Sequence, residues 1–235
     1  MTHVIAPLPG DGLRVQPMPG KSLTDQVYEL LREEILRVQR RPGDLVSEVE
    51  LAAQYGVSKT PIREALRLLA QDGWVIVLPR KGYLIRPLRL EDLREIFSVR
   101  LLLEPSVARQ VAVEISDAQA EQLERLVDEQ AASGDDIDAA LHAARRFHVA
   151  LAEITGNRRL VRMLVDLLDE VRRLHFLLPN VESHITSSEE LNAHRSLVEA
   201  LRNGQSDKAF ELMQTHVNEV ARTLVQGFSG QVASP

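Results

Sequence analysis

The sequence predicts a mainly α protein. An N-terminal winged helix–turn–helix with a small β-hairpin precedes an antiparallel bundle of about six helices. Three observations lead there. The stretch Ser47–Trp74 reads as two short helices joined at Gly56. It runs into a hairpin whose tip carries Arg80 and Lys81. From Pro87 onward, apolar residues recur at helical spacing between capping and breaking residues.

Composition narrows the classes. There is no cysteine, so disulfides and thiolate metal sites are excluded. Aromatics are 4%, too few for a single-strand stacking surface. No apolar run is long enough to span a membrane, and the N-terminus lacks a secretory pattern, so a cytoplasmic protein is expected. The net charge of −6 is unevenly divided. Residues 20–90 carry twelve Lys and Arg against nine Asp and Glu, whereas residues 91–235 carry fifteen against twenty-four. A mildly basic unit able to meet phosphates is joined to an acidic one.

Residues 1–19 hold four prolines and two glycines without periodicity and read as a flexible arm. Ser22 or Thr24 caps a first helix from about Leu23 to Arg40, ended by Arg41-Pro42-Gly43. In the two-helix motif, Leu45, Val49, Leu51 and Ala52 are expected to give the first helix its apolar face. Gly56 supplies the positive φ of the turn, Ser58 or Thr60 caps the second helix, and Pro61 sits just inside its start. Ile62, Ala65, Leu66 and Leu69 mark its buried face; Lys59, Arg63 and Arg67 mark the other. Such a helix fits a DNA major groove, though the motif alone is equally a hairpin with a solvated basic face. The wing strengthens the DNA reading. Trp74–Leu78 and Tyr83–Ile85 are its strands, and Pro79-Arg80-Lys81-Gly82 is its turn. The DNA-facing candidates are Ser58, Lys59, Thr60, Arg63 and Arg67 on the helix, and Arg80, Lys81 and Gly82 on the wing.

The bundle's helices are expected from Glu91 to Val113 with a kink at Pro105, then to Ala132, Ile154, Leu178, Arg202 and finally Gln226, with 180–186 as a loop. The division is therefore 1–19 arm, 20–87 winged unit, 88–228 helical unit and 229–235 flexible tail.

The segment "KSLTDQVYELLREEIL…RPGDLVSEVELAAQYGVSKTPIREALRLLAQDGWV…RKG" resembles the DNA-binding domain of GntR-type bacterial transcription regulators. The pieces "VRLLLEPSVA", "FHVALAEITGN", "LNAHRSLVEAL" and "MQTHVNEV" resemble the helical effector domain of the FadR branch. The first resemblance implies operator reading by Arg63 and by Lys59, where arginine is usual. Lysine cannot make the bidentate fork to guanine, which shifts the burden to Arg63. Val49 stands where many members carry an arginine. The resemblance further implies a homodimer on palindromic double-stranded operator DNA, a small carboxylate effector, and no membrane.

His148, His194 and His216 lie on three helices, each bracketed by apolar residues, and no acidic sequence neighbour is evident. Three convergent neutral imidazoles suit a divalent ion, zinc or nickel, and these positions match the family's metal histidines. Ala144 replaces the usual aspartate one turn before His148. Separate core histidines, or direct binding of an anion, are the other readings. Arg100 and Glu104 form an i, i+4 pair that suits either a carboxylate ligand or a buried ion pair. The arginine pairs at 145–146, 158–159 and 172–173, on acidic helices, read for the most part as solvated surface without a role. A regulator rather than an enzyme is expected; the alternatives are a metal hydrolase fused to a DNA-binding module and an architectural DNA-binding protein.

Overall fold

The computed structural model describes residues 20–178, 181 and 184–232; the expected arm at 1–19 and the last three residues of the expected tail lie outside the described residues. The chain forms two compact units, Met1–Pro87 and Leu88–Pro235.

In the first unit, α1 (Leu23–Leu36) opens with a capping box between Ser22 and Asp25. It stops four residues short of the expected Arg40 because Val38 takes a positive φ of 56°. Gln39 and Arg40 then donate their N–H groups back to the Glu34 carbonyl. Arg40 Nε contacts Glu34 Oε2 at 2.5 Å, and the Tyr55 hydroxyl donates to the same oxygen at 2.7 Å. This buried knot ties the end of α1 to α2 (Glu48–Tyr55), which is capped by Ser47 and closed by Gly56 at φ 68°. Contrary to expectation, Leu45 and Val49 are exposed; Leu51 and Tyr55 supply the buried face of α2. The helix is only two turns long, so few of its residues can face the core.

In α3 (Lys59–Gln71), Ile62, Ala65, Leu66 and Leu69 are fully buried, each large side chain contributing roughly 1.5–3 kcal/mol by leaving water. Ser58 occupies the N-cap position without a side-chain cap bond. The wing is β2 (Val75–Leu78) and β3 (Gly82–Ile85), and a third strand, β1 (Leu45–Val46), was not anticipated. The order is β1-β3-β2, all antiparallel, with Val46 opposite Tyr83 and Leu78 opposite Gly82. Two residues are too short a run to show alternation in sequence.

The second unit is α4 (Leu90–Glu114), α5 (Asp117–Ala132), α6 (Ile137–Ile154), α7 (Arg158–Leu177), α8 (Ser188–Arg202) and α9 (Ser206–Val232). Helix α4 continues through Pro105 without interruption, giving up one backbone bond there. Leu93, Phe97, Val111, Leu123, Phe147, Leu164, Val198, Met213 and Val217 lie in one core. Helix α9 extends six residues beyond the expected Gln226, so residues 229–232 are helical rather than tail. Gly227 does not end it: a Cβ there would lie 2.5 Å from Val181 Cγ2, so glycine permits close packing inside the helix.

Candidate nucleic-acid interface and metal centre

Helix α3 separates its residues cleanly. Its apolar face is sealed in the first unit, while Lys59, Thr60, Arg63 and Arg67 are exposed, as is Ser58 before it. Arg63 is held by Glu48 of α2 through Nε at 3.0 and 3.1 Å and Nη2 at 2.8 Å. Arg67 makes a looser pair with Glu64 at 3.3 Å. Val49, where an arginine is often found in the resembling family, is exposed on the turn of α2 that also bears Glu48. At the wing tip Arg80 and Lys81 are exposed, Arg80 with φ 66°. Gly82 has a backbone reason for its identity: φ is 102°, and a Cβ would lie 2.6 Å from the Val46 carbonyl oxygen.

In the second unit the three expected histidines converge. His148 comes from α6, His194 from α8 and His216 from α9; all are buried, with ligand atoms within 4.8 Å of one another. His148 Nε2 faces His216 Nε2 at 3.3 Å. Two nitrogens about 2.05 Å from one zinc at the tetrahedral angle lie about 3.3 Å apart. Each Nδ1 turns the other way. His194 Nδ1 donates to Gln130 Oε1 at 3.0 Å, and Gln130 Nε2 donates to the Ile185 carbonyl at 2.7 Å, which fixes the amide's orientation. His148 Nδ1 lies 2.5 Å from Glu104 Oε2, a bent contact that attracts only with the proton on Nδ1. His216 Nδ1 lies 3.5 Å from Glu190 Oε2. His148 and His216 thus turn their Nε2 atoms toward each other, and His194, its Nδ1 engaged, keeps a buried Nε2 without a hydrogen-bond partner, 3.7 Å from Glu190 Oε1.

Electrostatics favour neutral imidazoles at His194 and His216. Burial lowers the pKa of His194 and His216 well below the ordinary value, and neighbouring His148 and Arg100 add to the effect. Burial pushes the Glu190 carboxyl up to about 8. It works the same way on Glu104, but the Arg100 and His148 charges outweigh it and hold that carboxyl far below the usual range.

Beside the histidines lies a cavity of about 40 Å³, lined among others by Arg100, Arg145, Arg172, His175, His184 and Glu190. Each arginine is matched by a carboxylate: Arg100 by Glu104 at 2.5 Å, Arg145 by Asp169 at 2.5 Å and Arg172 by Asp138 at 2.8 Å. His175 donates Nδ1–H to the Val171 carbonyl, leaving a buried Nε2 without a hydrogen-bond partner; burial lowers its pKa to about 4.

Of the two effector candidates, Arg100 lines the cavity, whereas Glu104 is directed at Arg100 and His148. Contrary to expectation, the histidines do have acidic neighbours, Glu104 and Glu190. Glu190 precedes His194 by four residues on one helix face and is buried beside it at 3.7 Å. That spacing was a usable signal, hidden because Glu190 also reads as a helix-start residue. Arg172 and Arg173 are buried rather than solvated. Gln130 gave no signal, standing 64 residues from its partner.

Comparison with known proteins gives two family matches. Residues 23–85 match the model described as "Bacterial regulatory proteins, gntR family", and residues 95–219 match the FCD domain. The HTH-type transcriptional repressor NanR of Salmonella arizonae is 30% identical over 236 aligned positions, spanning 91% of this chain and 89% of that protein. The HTH-type transcriptional repressor RspR of Escherichia coli is 26% identical, with 91% and 94% covered. In fold, the chain is similar to a GntR transcriptional regulator from Rhodococcus sp. RHA1 (TM-score 0.74, 23% identity, 88% of this chain and 99% of that one). It is similar also to E. coli McbR/YncC, with TM-score 0.75, 21% identity and the same coverage.

Proposed function

The chain belongs to the gntR family of bacterial regulatory proteins and carries an FCD domain, and we propose that it is a ligand-responsive repressor whose metal-centred helical unit senses a small carboxylate. The named relatives are transcriptional regulators, which answers the hydrolase alternative. The observation that carries the DNA half is α3: one face is sealed in the core and the other offers Lys59, Arg63 and Arg67. Arg63 contacts guanine edges, with Lys59, Arg67, Ser58 and Thr60 on phosphates or neighbouring bases, and Arg80 and Lys81 on the backbone beside the wing. A two-fold dimer on a palindrome doubles an otherwise short base-reading surface.

The sensing half rests on the convergence of the three buried imidazoles. His148, His194 and His216 would hold zinc or nickel through Nε2, while Glu104 orients His148, Gln130 orients His194 and Glu190 orients His216, each from the Nδ1 side. Bound there, the ion gives the adjoining cavity a positive, carboxylate-accepting end. Ala144 lines that cavity and offers no ligand atom, so room is left for an oxygen of the effector. About 40 Å³ holds a few waters, so an acid of few atoms enters with little wall movement and a larger one must open the cavity. Operator release follows if the occupied unit favours a different placement of the DNA-binding units.

The test starts from a randomised duplex library. The wild-type protein should select a defined sequence, and Arg63→Ala should lose that selection with its fold intact. Equal selection by both proteins would refute the role given to Arg63.

A further inference from the structure

The first unit contains an ion pair whose geometry exceeds what surface stability requires. Glu48, the first residue of α2, reaches α3 and grips one edge of the Arg63 guanidinium, with both Nε and Nη2 bonded to its carboxylate. Both side chains meet solvent, the arginine 55% exposed and the carboxylate 23%. Exposed pairs contribute little to folding. The pairing is nonetheless strong enough that the hydrogen bond from Arg63 holds the Glu48 carboxyl below its ordinary range.

A guanidinium has two edges that accept a planar bidentate partner. Glu48 occupies the Nε/Nη2 edge. The Nη1/Nη2 end remains, and that fork matches O6 and N7 of guanine. An unbraced arginine samples many rotamers, and base reading must freeze them at binding; a brace removes much of that freedom beforehand.

We infer that Glu48 is a positioning residue for base recognition: it braces Arg63 so that the free end of the guanidinium is presented outward, coupling α2 to the reading done by α3. The inference rests on the assignment of Arg63 to base contact above. Its signature is a split between two quantities. The brace raises discrimination at the base pair that Arg63 reads. The same carboxylate brings a negative charge near the phosphates and weakens sequence-independent attraction.

Full-length wild type, Glu48→Ala, Glu48→Gln and Arg63→Ala are each put through selection and sequencing on the randomised duplex library. Affinity for a random-sequence duplex is measured at fixed salt, and circular dichroism melts check folding. Ser47 still caps α2 in every variant and Glu50 still lies in its first turn. Glu48→Ala should lose about tenfold discrimination at the base pair that Arg63→Ala also erases, a size typical of one bidentate contact. Glu48→Gln, which keeps one acceptor oxygen, should fall between. Random-duplex affinity should stay level or rise by roughly twofold for both Glu48 variants. Wild-type discrimination in Glu48→Ala overturns the inference. So does tighter binding to the selected sequence, which makes the pair a mask over Arg63, or altered preference at a different base pair, which makes Glu48 a base reader. If Arg63→Ala keeps every preference, the assignment of Arg63 fails first and the brace with it.

Discussion

Gln130 is the perturbation that isolates the support of the metal centre from its ligands. It hydrogen-bonds His194, accepting from Nδ1 at 3.0 Å while donating to the Ile185 carbonyl at 2.7 Å, and it is fully buried. Gln130→Leu keeps nearly the same volume and removes both bonds. His194 is then free to turn or to carry its proton on Nε2, the nitrogen that must remain bare to bind an ion. Loss of such an outer partner lowers metal affinity by about 10–100-fold, or roughly 1.4–2.7 kcal/mol. Two buried polar groups are also left unmatched, costing about 1–3 kcal/mol each in stability. Chelator-competition titration of zinc gives the first quantity and urea unfolding of the metal-free protein gives the second. Gln130→Glu separates them further, because a carboxylate still accepts from Nδ1 but cannot donate to Ile185. It should retain more zinc affinity than the leucine variant. Wild-type zinc affinity in Gln130→Leu would refute the orienting role.

Other outcomes follow from the same geometry. Zinc or nickel should bind near one equivalent per chain and be lost when His148, His194 and His216 are replaced by alanine, as read by elemental analysis of dialysed protein. Gly82→Ala should destabilise the first unit by roughly 1–3 kcal/mol, since φ is 102° and the new Cβ meets Val46 O; thermal melts of full-length protein check this. Leu66→Ala, at a fully buried position, should cost about 2–5 kcal/mol by the same measurement. Metal-free protein should lose stability as pH falls from 6.5 toward 4. The folded-state pKa of His175 is depressed to about 4, so below 6.5 the unfolded chain takes up a proton that the folded one refuses. For this residue alone the loss is about 2 kcal/mol at pH 5; the Glu190 carboxyl, pushed up to about 8, works in the opposite direction over the same window, so the His175 contribution is read as the difference between wild type and His175→Phe, and identical pH slopes in the two would contradict its buried neutral state.

Much of the fold could be read from local chemistry. The caps at Ser22, Ser116, Asn157 and Ser187 and the turn at Gly56 each announce themselves within a few residues, whereas the Ser47 cap of α2 is seen only in the structure. What escaped depended on partners distant in sequence. The early end of α1 is secured by a knot among Glu34, Arg40 and Tyr55, and β1 exists only because β3 offers it an edge. The three histidines were legible because apolar neighbours at helical spacing point a side chain inward. Their supports were not. In sequence Glu104 reads as half of a pair with Arg100, Glu190 sits three residues after Ser187 where an acidic helix-start residue is ordinary, and Gln130 is uncharged and lies on α5. The buried arginines illustrate the same limit. Arg172 looks like surface charge until α7 packs and brings Asp138 within 2.8 Å.

The most direct test combines both units in one titration. Binding of the metal-loaded protein to its selected duplex is followed by fluorescence anisotropy against a panel of small mono- and dicarboxylates, alongside His194→Ala. At least one acid should weaken wild-type binding by about 5–150-fold, the usual span of coupling between two sites, and leave His194→Ala unaffected. Unchanged DNA affinity across the whole panel, or an equal response with the histidine removed, would contradict a metal-centred carboxylate sensor.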